Sequence, residues 1–167
     1  MDAHYKQAPE RFGLVPAETA ATMTGLEFLQ GMIAGRLPGP PIMQLIGFDL
    51  VEVEPERAVF EGTPALRHYN PLGTVHGGYA ATLLDSCMGC AVHTTLPKGT
   101  GYTTLEFKIS LVRPLTAETG PVRAEGKVIN SGRRVATAEG RLTDGRGRLL
   151  AHATTTCLVF ELPVKER

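Results

Sequence analysis

Apolar and polar residues alternate along the second half of the chain, and this period of two predicts β-strands. The clearest run is Leu105, Phe107, Ile109 and Leu111, whose intervening residues are charged or carry a hydroxyl group. Turn sequences separate this run from three others, so we expect four strands in an antiparallel meander. The four predicted strands cover residues 105–111, 122–128, 135–143 and 149–160.

A period of about four residues predicts two helices in the first part of the chain. Apolar pairs recur from Tyr79 to Val92 and indicate a buried helix of roughly four turns. A shorter apolar stripe at residues 26–33 predicts an amphipathic helix that ends before the Pro- and Gly-rich sequence 37–41.

Two strand-like runs, Ile46–Val53 and Arg57–Glu61, lie between these helices and predict a hairpin. The order helix, two strands, helix, four strands favours an α+β fold in which an antiparallel sheet covers one main helix. We expect residues 1–40 to form an N-terminal arm and helix, with a loosely docked arm at 1–18, and residues 41–162 to form the domain.

The composition narrows the classes of function. The 167 residues suffice for one domain, and 17 Lys and Arg balance 17 Asp and Glu. This zero net charge argues against a nucleic-acid binder held by a general positive field. No apolar run reaches the roughly 20 residues that span a bilayer, and no secretory signal or disulfide framework is visible. We therefore expect a cytoplasmic protein that binds neither nucleic acid nor membrane.

The start of the main helix carries the first candidate chemistry. Gly77 and Gly78 stand where backbone N–H groups are approachable and the helix dipole is positive. Such a helix start can hold a substrate carbonyl oxygen as it becomes an oxyanion. The alternative is that the two glycines only allow close packing.

Asp85 is the second candidate because it lies off the apolar stripe of the main helix. Helical periodicity places it beside Gly78, Ala81 and Gly89. A carboxylate among small residues is unusual for a surface in water, and small residues let another backbone approach. The alternative is an exposed Asp on a face of short side chains.

The spacing of Asn70, His76, Gly77, Gly78 and Asp85 resembles the signature of the PaaI-type acyl-CoA thioesterases, a family of the hotdog-fold superfamily. The resemblance extends over most of residues 45–160. It includes the sequences 101–105, 113–114 and 131–136.

The resemblance implies a hotdog fold, a long helix wrapped by an antiparallel sheet, and a role for each matching residue. Asp85 would be the catalytic carboxylate, acting as a base or as a nucleophile. Asn70 and the backbone N–H of Gly77 would hold the thioester carbonyl, and Thr103 would help to place the water. Gly78 and Thr104 are further predicted substrate contacts.

Two interpretations apply to His76 and two to the arginines Arg133 and Arg134. His76 could be a general base, but a structural role, with its ring hydrogen-bonded to the loop, is favoured. Arg133 and Arg134 follow a tight turn, and the guanidinium fork suits the phosphates of coenzyme A. The sequence does not separate these two arginines from each other or from a turn exposed to water.

Cys87 and Cys90 form a C-x-x-C sequence, with His93 three residues further on. A redox pair would lie at a helix N-terminus, whereas this pair lies within the predicted helix. A structural zinc needs four ligands, and no second convincing pair is visible. We therefore interpret the cysteines as small buried hydrophobic residues, and we expect no metal and no cofactor apart from the coenzyme A of the substrate.

The spacing of Gly77 and Asp85 predicts a site shared between two chains. Eight residues of helix separate them by roughly 12 Å, whereas an attacking group and an oxyanion donor must both lie about 3 Å from one reacting centre. Two helices related by a two-fold axis could bring both groups together. We expect a homodimer at least, and the family resemblance suggests a homotetramer.

The leading hypothesis is a thioesterase that hydrolyses a small or medium acyl- or aryl-acyl-CoA to the carboxylic acid and CoA. The alternatives are an enoyl-thioester hydratase and a non-catalytic acyl-CoA sensor. Hydratases of this fold resemble one another in a catalytic pattern that lies in a different loop, and this sequence does not show it. A sensor usually carries a DNA-binding segment, and residues 1–18 are too short and not basic enough for one. The helix at 26–33 is a candidate cover for the acyl pocket.

Overall fold

The computed structural model describes residues 11–162. Of the predicted arm at 1–18, residues 1–10 lie outside the described residues. The elements, in chain order, are α1 (Ala17–Ala20), α2 (Gly25–Ile33), α3 (Pro41–Ile46), β1 (Phe48–Glu54), β2 (Arg57–Gly62), α4 (Gly77–His93), β3 (Thr100–Leu111), β4 (Val122–Ser131), β5 (Val135–Asp144) and β6 (Leu149–Glu161).

The six strands form one antiparallel sheet in the order β1-β2-β4-β5-β6-β3. The predicted hairpin of β1 and β2 is confirmed, and β4, β5 and β6 follow one another as expected. The predicted four-strand meander is wrong in its first strand, because β3 pairs with β6 and β2 lies beside β4. The link at 112–121 is longer than a tight turn and lets the chain move from one part of the sheet to another.

Helix α4 packs across the sheet and forms the centre of the core. The apolar pairs predicted from Tyr79 to Val92 are buried. Gly126 and Gly140 let the helix approach closely: a Cβ atom on Gly126 would overlap the backbone of Cys87, and one on Gly140 would lie 2.9 Å from the Met88 side chain. The sheet therefore fixes both the position and the rotation of α4.

Strand β3 departs from the predicted alternation at a β-bulge. The pairing with β6 shifts between Thr104 and Glu106, so that Leu105 is the extra residue. Tyr102 precedes the bulge and Phe107 follows it, and both pack against the core. Leu105, predicted to face inward, is instead 57% exposed.

The N-terminal helices are packed on the domain. Thr24 caps α2 in a capping box with Glu27, which explains why the predicted helix begins at Gly25. Helix α3 was not predicted, and Ile46, expected to begin a strand, is its last residue. Pro41 begins α3, and Gly47 ends it with a left-handed φ of 79°. Within residues 11–162, no helix combines the length and the hydrophobicity needed to cross a bilayer.

Candidate active site

Asn70 organises the loop that leads to α4. Its side-chain Oδ1 accepts hydrogen bonds from the backbone N–H groups of Leu72, at 2.9 Å, and Thr74, at 3.3 Å. Its Nδ2 donates one hydrogen to the Thr74 hydroxyl at 2.9 Å. An amide nitrogen carries two hydrogens, and within residues 11–162 the second has no acceptor. The loop therefore fixes an amide that can still donate to a substrate.

His76 caps the N-terminus of α4. Its Nδ1 accepts a hydrogen bond from the Gly78 N–H at 2.8 Å, and its backbone N–H donates to the His68 carbonyl at 2.7 Å. The first helical N–H, that of Gly77, has no acceptor among the described residues. The cap thus occupies the Gly78 N–H, predicted to contact substrate, and leaves the Gly77 N–H available at the positive end of the helix.

The Asn70 amide and the Gly77 N–H belong to one cavity. Its volume is about 260 Å³, and Asn70, His76 and Gly77 line it together with residues 111–115. The loop and the helix start therefore bring together two predicted carbonyl contacts.

Asp85 lies at a different cavity, of about 390 Å³. The Thr104 hydroxyl donates a hydrogen bond of 2.9 Å to Asp85 Oδ1 and lines the same cavity. Thr103, the residue predicted to assist Asp85, is exposed. Side chains alternate along a strand, so Thr103 lies on the same outward face as the exposed Leu105. Thr104, between them, faces inward. The hydroxyl that hydrogen-bonds to Asp85 in this structure is therefore that of Thr104.

The walls of the Asp85 cavity are mostly apolar. Helix α2, predicted to cover the acyl pocket, contributes Phe28, Leu29 and Met32. His93 also lines this cavity, whereas in the sequence it stands out only as a neighbour of the C-x-x-C pair. Burial lowers the pKa of His93 to about 4. A histidine one turn beyond a helical Cys was the only sequence signal for this residue.

The two cavities have no lining residue in common. Gly77 and Asp85 both lie on α4, and eight residues of helix separate them by roughly 12 Å. One chain therefore does not bring Asp85 and the two predicted carbonyl contacts to the same point.

Arg133 and Arg134 lie at the turn between β4 and β5. They line a third depression with Thr95–Pro97, just beyond the C-terminus of α4. Arg123, at the far end of β4, pairs with Glu52 and Glu61. Within residues 11–162 neither Arg133 nor Arg134 forms an ion pair, so both guanidinium groups are available to an anion.

The cysteines lie in surroundings that favour the neutral thiol. Cys87 is fully buried, and burial raises its pKa well above the ordinary value. Burial also raises the pKa of Cys90 to about 12. Thiols of this kind are poor nucleophiles. No group of three or more His, Cys, Asp and Glu side chains in the described part of the chain is arranged to hold a metal ion.

Comparison with known proteins identifies the family. The model of the thioesterase superfamily matches residues 72–151, which include Gly77 and Asp85. Mouse acyl-coenzyme A thioesterase 13 is 31% identical over 109 residues, covering 64% of this chain and 76% of the mouse protein. The chain belongs to the thioesterase superfamily. The predicted family and hotdog fold are thereby confirmed.

Solved structures in this superfamily share the fold. A mutant of the phenylacetic acid degradation protein PaaI from Thermus thermophilus is 31% identical, with a TM-score of 0.64, and the match covers 71% of this chain and 97% of that protein. A phenylacetic acid degradation-related protein from Ralstonia eutropha is 28% identical, with a TM-score of 0.71, and the match covers 78% and 98%. By contrast, the chain spans about half the length of two curated archaeal relatives with esterase names, 44% and 57%.

Proposed function

We propose that this protein is an acyl-CoA thioesterase that hydrolyses a small or medium acyl- or aryl-acyl-CoA. The observation that carries the proposal is a carboxylate, Asp85, held by Thr104 beside a mostly apolar cavity. The thioester carbonyl would lie at Asp85 and the acyl group in the cavity. The name of the mouse relative supports acyl-CoA as the substrate class.

The chemistry needs a group that attacks the carbonyl and groups that hold the resulting oxyanion. Asp85 either takes a proton from a water molecule as its oxygen bonds to the carbonyl carbon, or bonds to that carbon itself. The tetrahedral intermediate then expels the CoA thiolate, which takes up a proton. In the second route, water hydrolyses the mixed anhydride and frees Asp85. Neither route needs a metal or a separate cofactor.

The oxyanion donors would come from the partner subunit. Gly77 of one chain lies roughly 12 Å along α4 from its own Asp85, and Asn70 lines the Gly77 cavity rather than the Asp85 cavity. This separation supports a site that two chains complete. Strand β3 is at the edge of the sheet, and Leu105 and Leu111 on it are 57% and 56% exposed. An exposed apolar edge strand favours pairing with another chain. Assembly into a homotetramer stays a prediction.

The test is release of free CoA thiol from a panel of acyl-CoA substrates by the wild type and by Asp85→Asn. The amide has the shape of the carboxylate but does not act as a base, so we expect kcat to fall about 10²- to 10⁴-fold. A parallel assay with EDTA should show unchanged turnover. Wild-type turnover in a homogeneous Asp85→Asn preparation would exclude Asp85 from the reaction. Binding of acyl-CoA by the wild type without thiol release would favour a sensor.

A further inference from the structure

A segment outside the matched family region forms one wall of the Asp85 cavity. We name residues 13–43 the N-terminal cover; the family match begins at residue 72. Phe28, Met32 and Met43 of the cover face this cavity, which the domain closes with Phe48 and Phe60 from the sheet. The shape of the cavity is therefore set by the N-terminal cover as well as by the domain.

The N-terminal cover is fixed on the domain next to His93. The Gly25 N–H donates to the Leu96 carbonyl at 3.0 Å. A Cβ atom on Gly25 would overlap the carbonyl of His93, so the start of α2 lies directly on the end of α4. The cavity is therefore preformed, and a ligand would not have to order its wall.

His93 lies at the end of the cavity away from Asp85. Eight residues of α4 separate the two, which is roughly 12 Å. The His93 ring packs between Phe28 and Tyr102, at centroid distances of 5.3 and 5.4 Å. Neither of its ring nitrogens has a hydrogen-bond partner among residues 11–162. Because burial lowers its pKa to about 4, the imidazole is neutral at pH 7 and offers one donor and one acceptor.

The other polar groups on this side of the cavity already have partners. The Ser86 hydroxyl donates to the Thr82 carbonyl at 2.7 Å, and the Thr104 hydroxyl donates to Asp85. The Tyr102 hydroxyl lies against the Cys90 thiol. The imidazole of His93, which is partly buried and lines the cavity, is therefore the polar group on this side that a ligand can hydrogen-bond.

We propose that the cavity takes the acyl tail of the substrate and that His93 is a specificity-determining residue that hydrogen-bonds a hydroxyl group near the end of that tail. Acyl tails with an apolar body and a hydroxyl at the depth of His93 are then preferred to plain tails of the same length. The inference rests on the proposed function, because it takes Asp85 as the point where the thioester carbonyl lies.

The experiment compares kcat/KM for hexanoyl-, octanoyl- and decanoyl-CoA with the values for their ω-hydroxy counterparts. The wild type should prefer the hydroxylated tail at least tenfold at one chain length, since a buried polar group left without its partner is costly. His93→Phe should lose this preference, read as the ratio of kcat/KM for hydroxylated and plain tails within that variant. His93→Gln, which can still hydrogen-bond, should keep part of it. Ile33→Ala, on the face of α2 outside this cavity, should match the wild type.

Several results would overturn the inference. One is a wild type that hydrolyses the panel with no preference at any chain length, which decides the question even where His93→Phe does not fold. Another is a preference that survives in a folded His93→Phe. Both leave the proposed function intact.

A wild type that releases thiol from no substrate contradicts the proposed function instead. Calorimetric titration with octanoic and ω-hydroxyoctanoic acids then tests His93 separately. Tighter binding of the hydroxy acid, lost in His93→Phe, supports the assignment of His93, and equal binding overturns it.

Discussion

A hydrogen bond from a neighbouring strand fixes the carboxylate that the proposed reaction depends on. Thr104 Oγ1 donates to Asp85 Oδ1 at 2.9 Å, and this bond joins β3 to the middle of α4. A hydrogen bond to a charged group is worth about 1.5–3 kcal/mol. The bond leaves the other carboxylate oxygen free of protein partners among the described residues, as a group that acts on water or on a carbonyl requires.

Replacement of Thr104 by Val should lower kcat about tenfold. Valine keeps the branched shape but removes the hydroxyl that orients Asp85, and the cost follows from a charge-assisted hydrogen bond. Thr103→Val is the matched control, because Thr103 is the adjacent exposed residue of the same type, and it should turn over as the wild type does. The measurement is kcat by thiol release. Equal rates for the two variants would remove Thr104 from the positioning of Asp85.

Residues whose partners are close in sequence could be predicted. His76 was expected to hydrogen-bond to its loop, and it does so to a group two residues away. The family resemblance assigned the assisting role to Thr103 and made Thr104 only a substrate contact. The bulge at Leu105, which no local pattern marks, leaves Thr104 rather than Thr103 facing inward. His93 was missed because its surroundings depend on Phe28, which is far away in the chain.

At the level of the elements, α4 owes its position to glycines on two neighbouring strands. Gly126 on β4 and Gly140 on β5 are directly paired, and both lie against the helix at Cys87 and Met88. The helix carries Asp85 and Gly77, so this contact also determines where both candidate groups stand. The contact that packs α4 on the sheet therefore also positions the candidate site.

Gly126→Ala should lower the free energy of unfolding by about 3 kcal/mol, because the added methyl group meets helix backbone and cannot be relieved by moving a side chain. Gly145→Ala serves as the control, since a Cβ atom there meets nothing within 4 Å. Urea unfolding at pH 7 measures both variants. Equal midpoints for Gly126→Ala and the wild type would show that the helix does not need this close approach.

The elements were more predictable than their arrangement. Periodicity is local, so the bounds of α2, α4 and β4–β6 follow from the sequence within a few residues. The place of β3 beside β6 depends on the long link at 112–121, which carries no periodic signal. Helix α3 is only six residues long and too short to show a period.

At the scale of the whole molecule, the proposed mechanism divides the site of each chain into two half-sites. One has Asn70 and Gly77 at the start of α4, and the other has Asp85 and Thr104 further along the same helix. The prediction of separate half-sites came from the rise of a helix alone, and the distinct cavities agree with it. Their completion by a second chain is the central claim of the proposed mechanism.

Gly77→Pro should disable the half-site of Asn70 and Gly77 without disturbing the fold. Proline is well tolerated at the first helical position, where the N–H has no partner within the helix. His76, at φ −59° and ψ 137°, already has the conformation that a residue before proline prefers. The substitution thus removes the proposed oxyanion donor and leaves the helix in place. Gly77→Ala, which keeps the N–H, is the control for the added bulk beside Leu111.

The most direct measurement is therefore thiol release by a mixture of Gly77→Pro and Asp85→Asn chains, each nearly inactive alone. In a mixed dimer, one composite site contains both substituted residues and the other site contains neither. Random mixing should restore about a quarter of wild-type activity, since half of the dimers are mixed and each has one intact site of two. Verified subunit exchange without recovery would contradict the shared site and require both groups to act from one chain.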